Sequence, residues 1–133
     1  MPTDGEEEWE KIRTGVRLER KTPAELLGIF QQVIPNSATV LREKFYWGMG
    51  KVEEMPPKKY IGFKTRSLGE DNFNMSGTTE GGEFVHLNIN DDINVAVQNH
   101  EDGRRSVVIS HESKSRGGQV VRRYTVVPSA PNV

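Results

Sequence analysis

The sequence predicts an α+β domain: an antiparallel sheet of about six strands with one main capped helix packed on one face. Three observations predict it. The stretch "KTPAELLGIFQQVIP" combines a helix start, an apolar stripe at helical spacing and a proline stop. The last third of the chain falls into four runs that alternate with period two. Hydrophobic residues are only 34% and charged residues 28%, yet the apolar ones are ordered along the chain, which argues against disorder.

Taken in order, Asp4 caps a short helix with Glu7 three residues on, Trp9 and Ile12 on one face and Gly15 at its end. "VRLER" then alternates as a strand, with Val16 and Leu18 inward. The main helix covers residues 23–34. Thr22 is its N-cap, Pro23 occupies the first position and Glu25 completes a capping box. Leu26, Leu27, Phe30, Val33 and Ile34 form the stripe, and Gly28 is expected to permit a close approach to the sheet.

After Pro35 the period changes to two. "ATVLREKFYW" and "KKYIGFKTR" read as strands, joined by the loop "GMGKVEEMPP". Residues 67–82 form a long polar connection, shortened by a brief strand around Phe73. The runs "GEFVHLNI", "INVAVQNH", "RRSVVISHE" and "QVVRRYTVV" then predict a four-strand meander. In its second hairpin, a three-residue loop with left-handed Gly103 pairs His100 with Arg104, Val97 with Val107 and Val95 with Ile109. A turn at Asn90–Asp92 likewise sets Leu87 against Val95 and Val85 against Val97. The expected core face is Val85, Leu87, Ile89, Ile93, Val95, Val97, Val107 and Ile109.

With 133 residues, a single domain spanning 1–133 with polar tails is the expectation. There is no cysteine, which excludes disulfides and thiol chemistry and fits a reducing compartment. The net charge of -1 leaves any nucleic-acid contact to a local patch. The acidic start carries no signal-peptide pattern, and no apolar run approaches the roughly 18 residues of a membrane span. A soluble, cytoplasmic protein with no membrane partner is expected.

The aromatic triplet Phe45-Tyr46-Trp47 sets the functional question. Alternation puts Leu41, Phe45 and Trp47 inward, with Glu43 among them, and Ile61 and Phe63 inward on the next strand. The outer face would then show Arg42, Lys44, Tyr46, Tyr60, Lys64 and Arg66 as one aromatic and basic surface. Such a surface serves as a contact for a protein partner, or stacks bases and meets phosphates of a single strand. It also occurs as a merely solvated sheet face.

The residue patterns of catalysis do not assemble. His86, His100 and His111 have no metal-ligand spacing; His111 is expected inward, and less accessible than the other two. Ser76-Gly77 lacks a nucleophile elbow, and Gly48-Met49-Gly50 begins no phosphate loop. Asn90–Asp92 lacks the spaced oxygens of a calcium loop. Arg122 and Arg123 emerge on opposite faces of the last strand, after the basic loop "SKSRGG". Glu43, a carboxylate among core residues, is expected to pair with an arginine.

The sequence therefore reads as a small non-enzymatic binding module, with no cofactor or metal, acting on a protein partner through its sheet surface and loops; a homo-oligomer is compatible with this. The alternatives are single-stranded nucleic-acid binding by the same face, and carriage of a small apolar ligand in a helix–sheet pocket lined by Gly28, Gly62, Phe45, Trp47 and Phe63.

Overall fold

The computed structural model describes residues 17–48, 51–69, 71–112 and 117–127. The expected helix after Asp4 and the tail from residue 128 lie outside the described residues. In chain order the elements are β1 (Glu19–Lys21), α1 (Pro23–Val33), β2 (Ala38–Gly48), β3 (Lys51–Gly69), β4 (Asn72–Thr79), β5 (Phe84–Ile89), β6 (Ile93–Asn99), β7 (Arg105–Glu112) and β8 (Gln119–Val126).

Strand accounts for 67% of the described residues, so the α+β expectation of about six strands gives way to a predominantly β fold. Its eight strands form one antiparallel sheet in the order β1-β6-β7-β8-β2-β3-β4-β5. Two segments read as loops are strand. β3 runs back over Lys51 to Pro57, and the brief strand expected around Phe73 extends as β4 over Asn72–Thr79, much of the connection expected at 67–82.

Both errors have a physical cause. Pro56 and Pro57 sit where β3 bulges: Arg42 pairs with Lys58 and Lys44 with Met55, leaving two prolines opposite Glu43. A proline has no N–H to give a ladder, and a bulge asks for none. In β4, Phe73 and Met75 face inward between polar neighbours, and pairing on both sides holds a run whose own strand propensity is weak.

The four-strand meander is also corrected. β6, β7 and β8 are consecutive neighbours, but β5 pairs with β4, setting Leu87 against Met75 and Val85 against Gly77. The other edge of β6 is taken by β1, from Glu19↔Val95 to Lys21↔Ile93. This forces curvature. β5 and β6 are six steps apart in the sheet, which is about 29 Å if flat. Yet three residues, Asn90 to Asp92, join them, and Ile89 to Ile93 spans at most about 14 Å. The sheet therefore curls into a half-barrel that brings its two flanks together.

The β6–β7 hairpin has the expected register, Val95↔Ile109 and Val97↔Val107, closed by a bond from the His100 N–H to the Arg104 carbonyl (2.9 Å), with Gly103 at φ 89°. The helix starts as its sequence dictates. Thr22 N–H donates to Glu25 Oε1 (3.1 Å) and Glu25 N–H to Thr22 Oγ1 (3.2 Å). Those bonds hold the Glu25 carboxyl below the usual carboxylate range.

α1 lies in the concavity of the sheet. Leu26, Phe30 and Ile34 pack there with Val40, Phe63, Phe73, Met75, Ile93, Val95, Val107, Ile109 and Tyr124. Phe30 is the centre, with ring centroids 5.5 Å from Tyr124, 6.1 Å from Phe63 and 6.2 Å from Phe73. A Cβ on Gly28 would meet nothing within 4 Å, so the expected close approach at that glycine is absent. On the convex side Phe45, Val108 and Val121 form a second buried cluster, with Leu18 and Val52 against it. No helix among the described residues is long and apolar enough to cross a membrane.

Candidate functional site

β2 decides the site. It keeps unbroken register with β8 from Val40↔Val126 to Trp47↔Gln119. Val40 and Tyr124 belong to the concave core, and Arg42 pairs directly with Tyr124 and Lys44 with Arg122. Directly paired residues share a face. Arg42, Lys44 and Tyr46 therefore point into the concavity, and Glu43, Phe45 and Trp47 to the convex side. This inverts the face assignment that the alternation implied, because β2 is covered on both faces.

β3 adds a second inversion. Gly62 adopts φ 65° in a bulge between the pairs Ile61↔Thr78 and Lys64↔Ser76. The extra residue puts Tyr60 and Phe63 on the same concave face and turns Ile61 out to 49% exposure. Gly77 makes room for this, since a Cβ there would lie 2.9 Å from the Tyr60 Cβ. Lys64 and Arg66 are exposed on the convex face. Of the six residues expected to form one surface, Arg42, Lys44, Tyr46 and Tyr60 are inside, and Lys64 and Arg66 are on the opposite face.

The inward set converges on a pocket of about 200 Å³ within the half-barrel. Its cationic side is Arg42, Lys44 and Arg122; its apolar side includes Phe63, Met75, Val85 and Leu87. No aspartate or glutamate lines it among the described residues. Leu87 and Arg122 also line a larger open cleft of about 1080 Å³, whose rim carries Asp71, Asp91 and Asp92. Of the residues expected to line a helix–sheet pocket, Phe63 lines this one; Gly28, Gly62, Phe45 and Trp47 line neither it nor the cleft.

Arg42 is the unusual group. It is 7% exposed, and its Nε is buried without a hydrogen-bond partner. Its guanidinium carbon stands 5.9 Å from the Tyr60 ring centroid. Among the described residues, none of Arg42, Lys44 and Arg122 takes part in an ion pair. Lys44 Nζ lies 5.0 Å from the Tyr46 ring centroid. A buried cation facing rings alone keeps much of its desolvation cost, since a cation–π contact returns only about 0.5–2 kcal/mol.

His111 stands beside the cationic side, lining the adjoining cleft with Arg122. The Arg122 guanidinium donates to His111 Nε2. An arginine cannot accept, so Nε2 is the bare nitrogen and Nδ1 carries the proton, which it donates to the Glu112 carbonyl (3.1 Å). Burial first, then Arg122 and Lys44, hold the imidazole below the usual histidine range. The Tyr124 hydroxyl is pushed up to about 12 by burial and keeps its proton. His111 is half-buried on the concave side, as expected; His86 is exposed, whereas His100 is half-buried like His111.

Two other polar clusters are structural. Glu43 receives Arg123 Nε at 2.8 Å and Nη2 at 2.7 Å on the convex face, which fixes the expected arginine partner. Asp102, His100 and Ser106 have the residue types of a nucleophile triad but not its freedom. Ser106 is fully buried, and its Oγ stands 2.7 Å from His100 Nε2 and 2.6 Å from Thr125 Oγ1. The Asp102 carboxylate is engaged by the Arg104 N–H (3.0 Å) and Nε (2.7 Å). No group of three metal-ligating side chains gathers among the described residues.

Sequence reasoning missed Arg122 and Tyr124 as pocket residues, and His111 as a residue of the adjoining cleft. One signal for Arg122 was present: the doublet Arg122-Arg123 must split across the strand, and the structure sends Arg122 inward and Arg123 outward. No known family model matches the chain, and no curated protein or solved structure matches it significantly.

Proposed function

We propose that this protein is a non-enzymatic binding module that takes up a small anionic molecule in the concavity of its sheet. One observation carries the reading: Arg42 is buried in a pocket wall with an unpartnered Nε, beside Lys44 and Arg122, and no carboxylate lines that pocket among the described residues. Buried polar groups are nearly always satisfied, and an unsatisfied one in a pocket wall is a place for an arriving partner. An anion accepting from Arg42 and Arg122 would be held by charge-assisted bonds away from water, where they are strongest.

A protein partner or single strand gripped by one aromatic and basic face loses its geometric basis, because Lys64 and Arg66 lie across the sheet from the other four residues. A small ligand needs no such continuous surface.

Amide-resolved NMR titration with acetate, hexanoate and inorganic phosphate tests the reading. Saturable shifts should concentrate at Arg42, Tyr60, Met75 and Arg122 and vanish in Arg42→Met. Shifts that scatter over the surface, or survive the substitution, overturn it.

A further inference from the structure

We infer that the ligand is a monocarboxylate carried on a compact apolar body, with its carboxylate on Arg42 and Arg122 and its body against Phe63, Met75, Val85 and Leu87. This rests on the anion-binding reading above and names the class of anion.

Four observations favour this class. The first is the wall. Opposite the cations the pocket is apolar, and an inorganic anion would leave Met75, Val85 and Leu87 facing water that the ligand could displace. The second is size. A pocket of about 200 Å³ equals the share of roughly seven water molecules in the liquid. That accommodates a short acyl or small aromatic acid.

The third observation is the donor set. Arg42 and Arg122 carry planar forks, which match two oxygens of a carboxylate or of a phosphate, and no helix start joins them. A helix start adds backbone N–H donors that suit a phosphate's further oxygens. Here the start of α1 lies on the open cleft instead, with Pro23 lacking an N–H and Glu25 supplying a negative charge. The fourth is the charge gradient. Asp71, Asp91, Asp92 and Glu112 line the outer cleft against Arg20, which pairs with Asp92 at 3.7 Å, so carboxylates outnumber cations there and a second negative group at the far end of the ligand gains little. Of carboxylate and basic groups the inner pocket is lined by cations alone, and the outer cleft by mixed charge with an acidic excess, an arrangement that favours one negative charge, carried inward.

The test compares hexanoate, 1-hexanol and inorganic phosphate by calorimetry and NMR titration on the wild-type chain, on Arg42→Met and on Lys44→Ala, with circular dichroism to verify the fold. Hexanoate should bind at the pocket about 10- to 100-fold more tightly than 1-hexanol, the ratio set by a hydrogen-bonded charge. It should exceed phosphate by a similar factor. Arg42→Met should remove that preference over the alcohol, and Lys44→Ala should weaken hexanoate less. Phosphate binding as tightly as hexanoate overturns the monocarboxylate inference and leaves the anion reading standing. Equal binding of 1-hexanol and hexanoate, or no binding of either anion to the wild type, overturns both. If Arg42→Met loses its fold, an unchanged hexanoate affinity in Lys44→Ala together with an unchanged affinity in Arg122→Gln overturns the cationic assignment.

Discussion

Glu43 and Arg123 face one another across the convex side of β2 and β8, joined by two bonds of 2.8 and 2.7 Å, with the Arg123 side chain only 8% exposed. One residue further on each strand, Lys44 pairs with Arg122 on the concave side. Two adjacent pairs on the same two strands thus have opposite electrostatics. The outer one is a satisfied ion pair, and the inner one is two cations facing a pocket. A strand pair that could neutralise its charges does so on one face only.

The outer pair should matter for stability. Glu43→Gln leaves a buried guanidinium with weaker acceptors, and a loss near 3 kcal/mol is expected, the lower end for a broken buried pair because Gln98 Oε1 still accepts from Arg123 at 3.3 Å. Chemical denaturation measures it. A loss below about 0.5 kcal/mol would place the pair with ordinary surface charges.

Arg42 should behave in the opposite way. Replacing a buried cation that lacks an acidic partner with methionine removes a desolvation cost, so Arg42→Met should leave the free protein as stable or raise its stability by roughly 1–3 kcal/mol. A melt of the ligand-free protein gives the sign. A clear destabilisation would show that Arg42 serves the fold.

The imidazole of His111 sets a pH dependence. Its folded pKa lies below the ordinary histidine value, so between the two the unfolded chain binds more protons. Stability should therefore decline as pH falls through the usual histidine range and level off below the folded value. His111→Gln should flatten that part of the profile. The groups that face His111, namely Arg122, Lys44 and the Glu112 carbonyl, give the reason: protonation removes the acceptor for Arg122 and adds a third positive charge. An anion bound on the cations should raise the His111 pKa, which an NMR titration of its ring protons would read. A His111 pKa unmoved by saturating hexanoate would place that anion away from the cations.

Gly28 offers a simpler test of packing. It lies inside α1 with open space where a Cβ would stand, so Gly28→Ala should stabilise the protein by about 0.5–1 kcal/mol. A destabilisation, measured in denaturant, would restore the close helix–sheet approach that the sequence led one to expect there.

The features legible along the chain are local ones. The capping box of α1 spans Thr22 to Glu25, and the β6–β7 register follows from a loop of three residues and the need to collect Val95, Val97, Val107 and Ile109 on one face. Both are settled by residues within one or two turns of chain, so their signals stand adjacent to one another. Tertiary structure decided the rest. Alternation names an inner face only when the other face meets water, and β2, between β3 and β8, is covered on both. The bulge at Gly62 shifts the alternation of β3 by one residue, and the prolines of β3 are tolerated because a bulge releases them from the ladder. β5 cannot take β6 as its neighbour because β1 and β7 already hold both edges of that strand. The pocket shares that origin: Arg42 and Arg122 stand on strands far apart in sequence, and only the pairing of β2 with β8, inside a sheet curled by the short link from β5 to β6, turns them toward the same space.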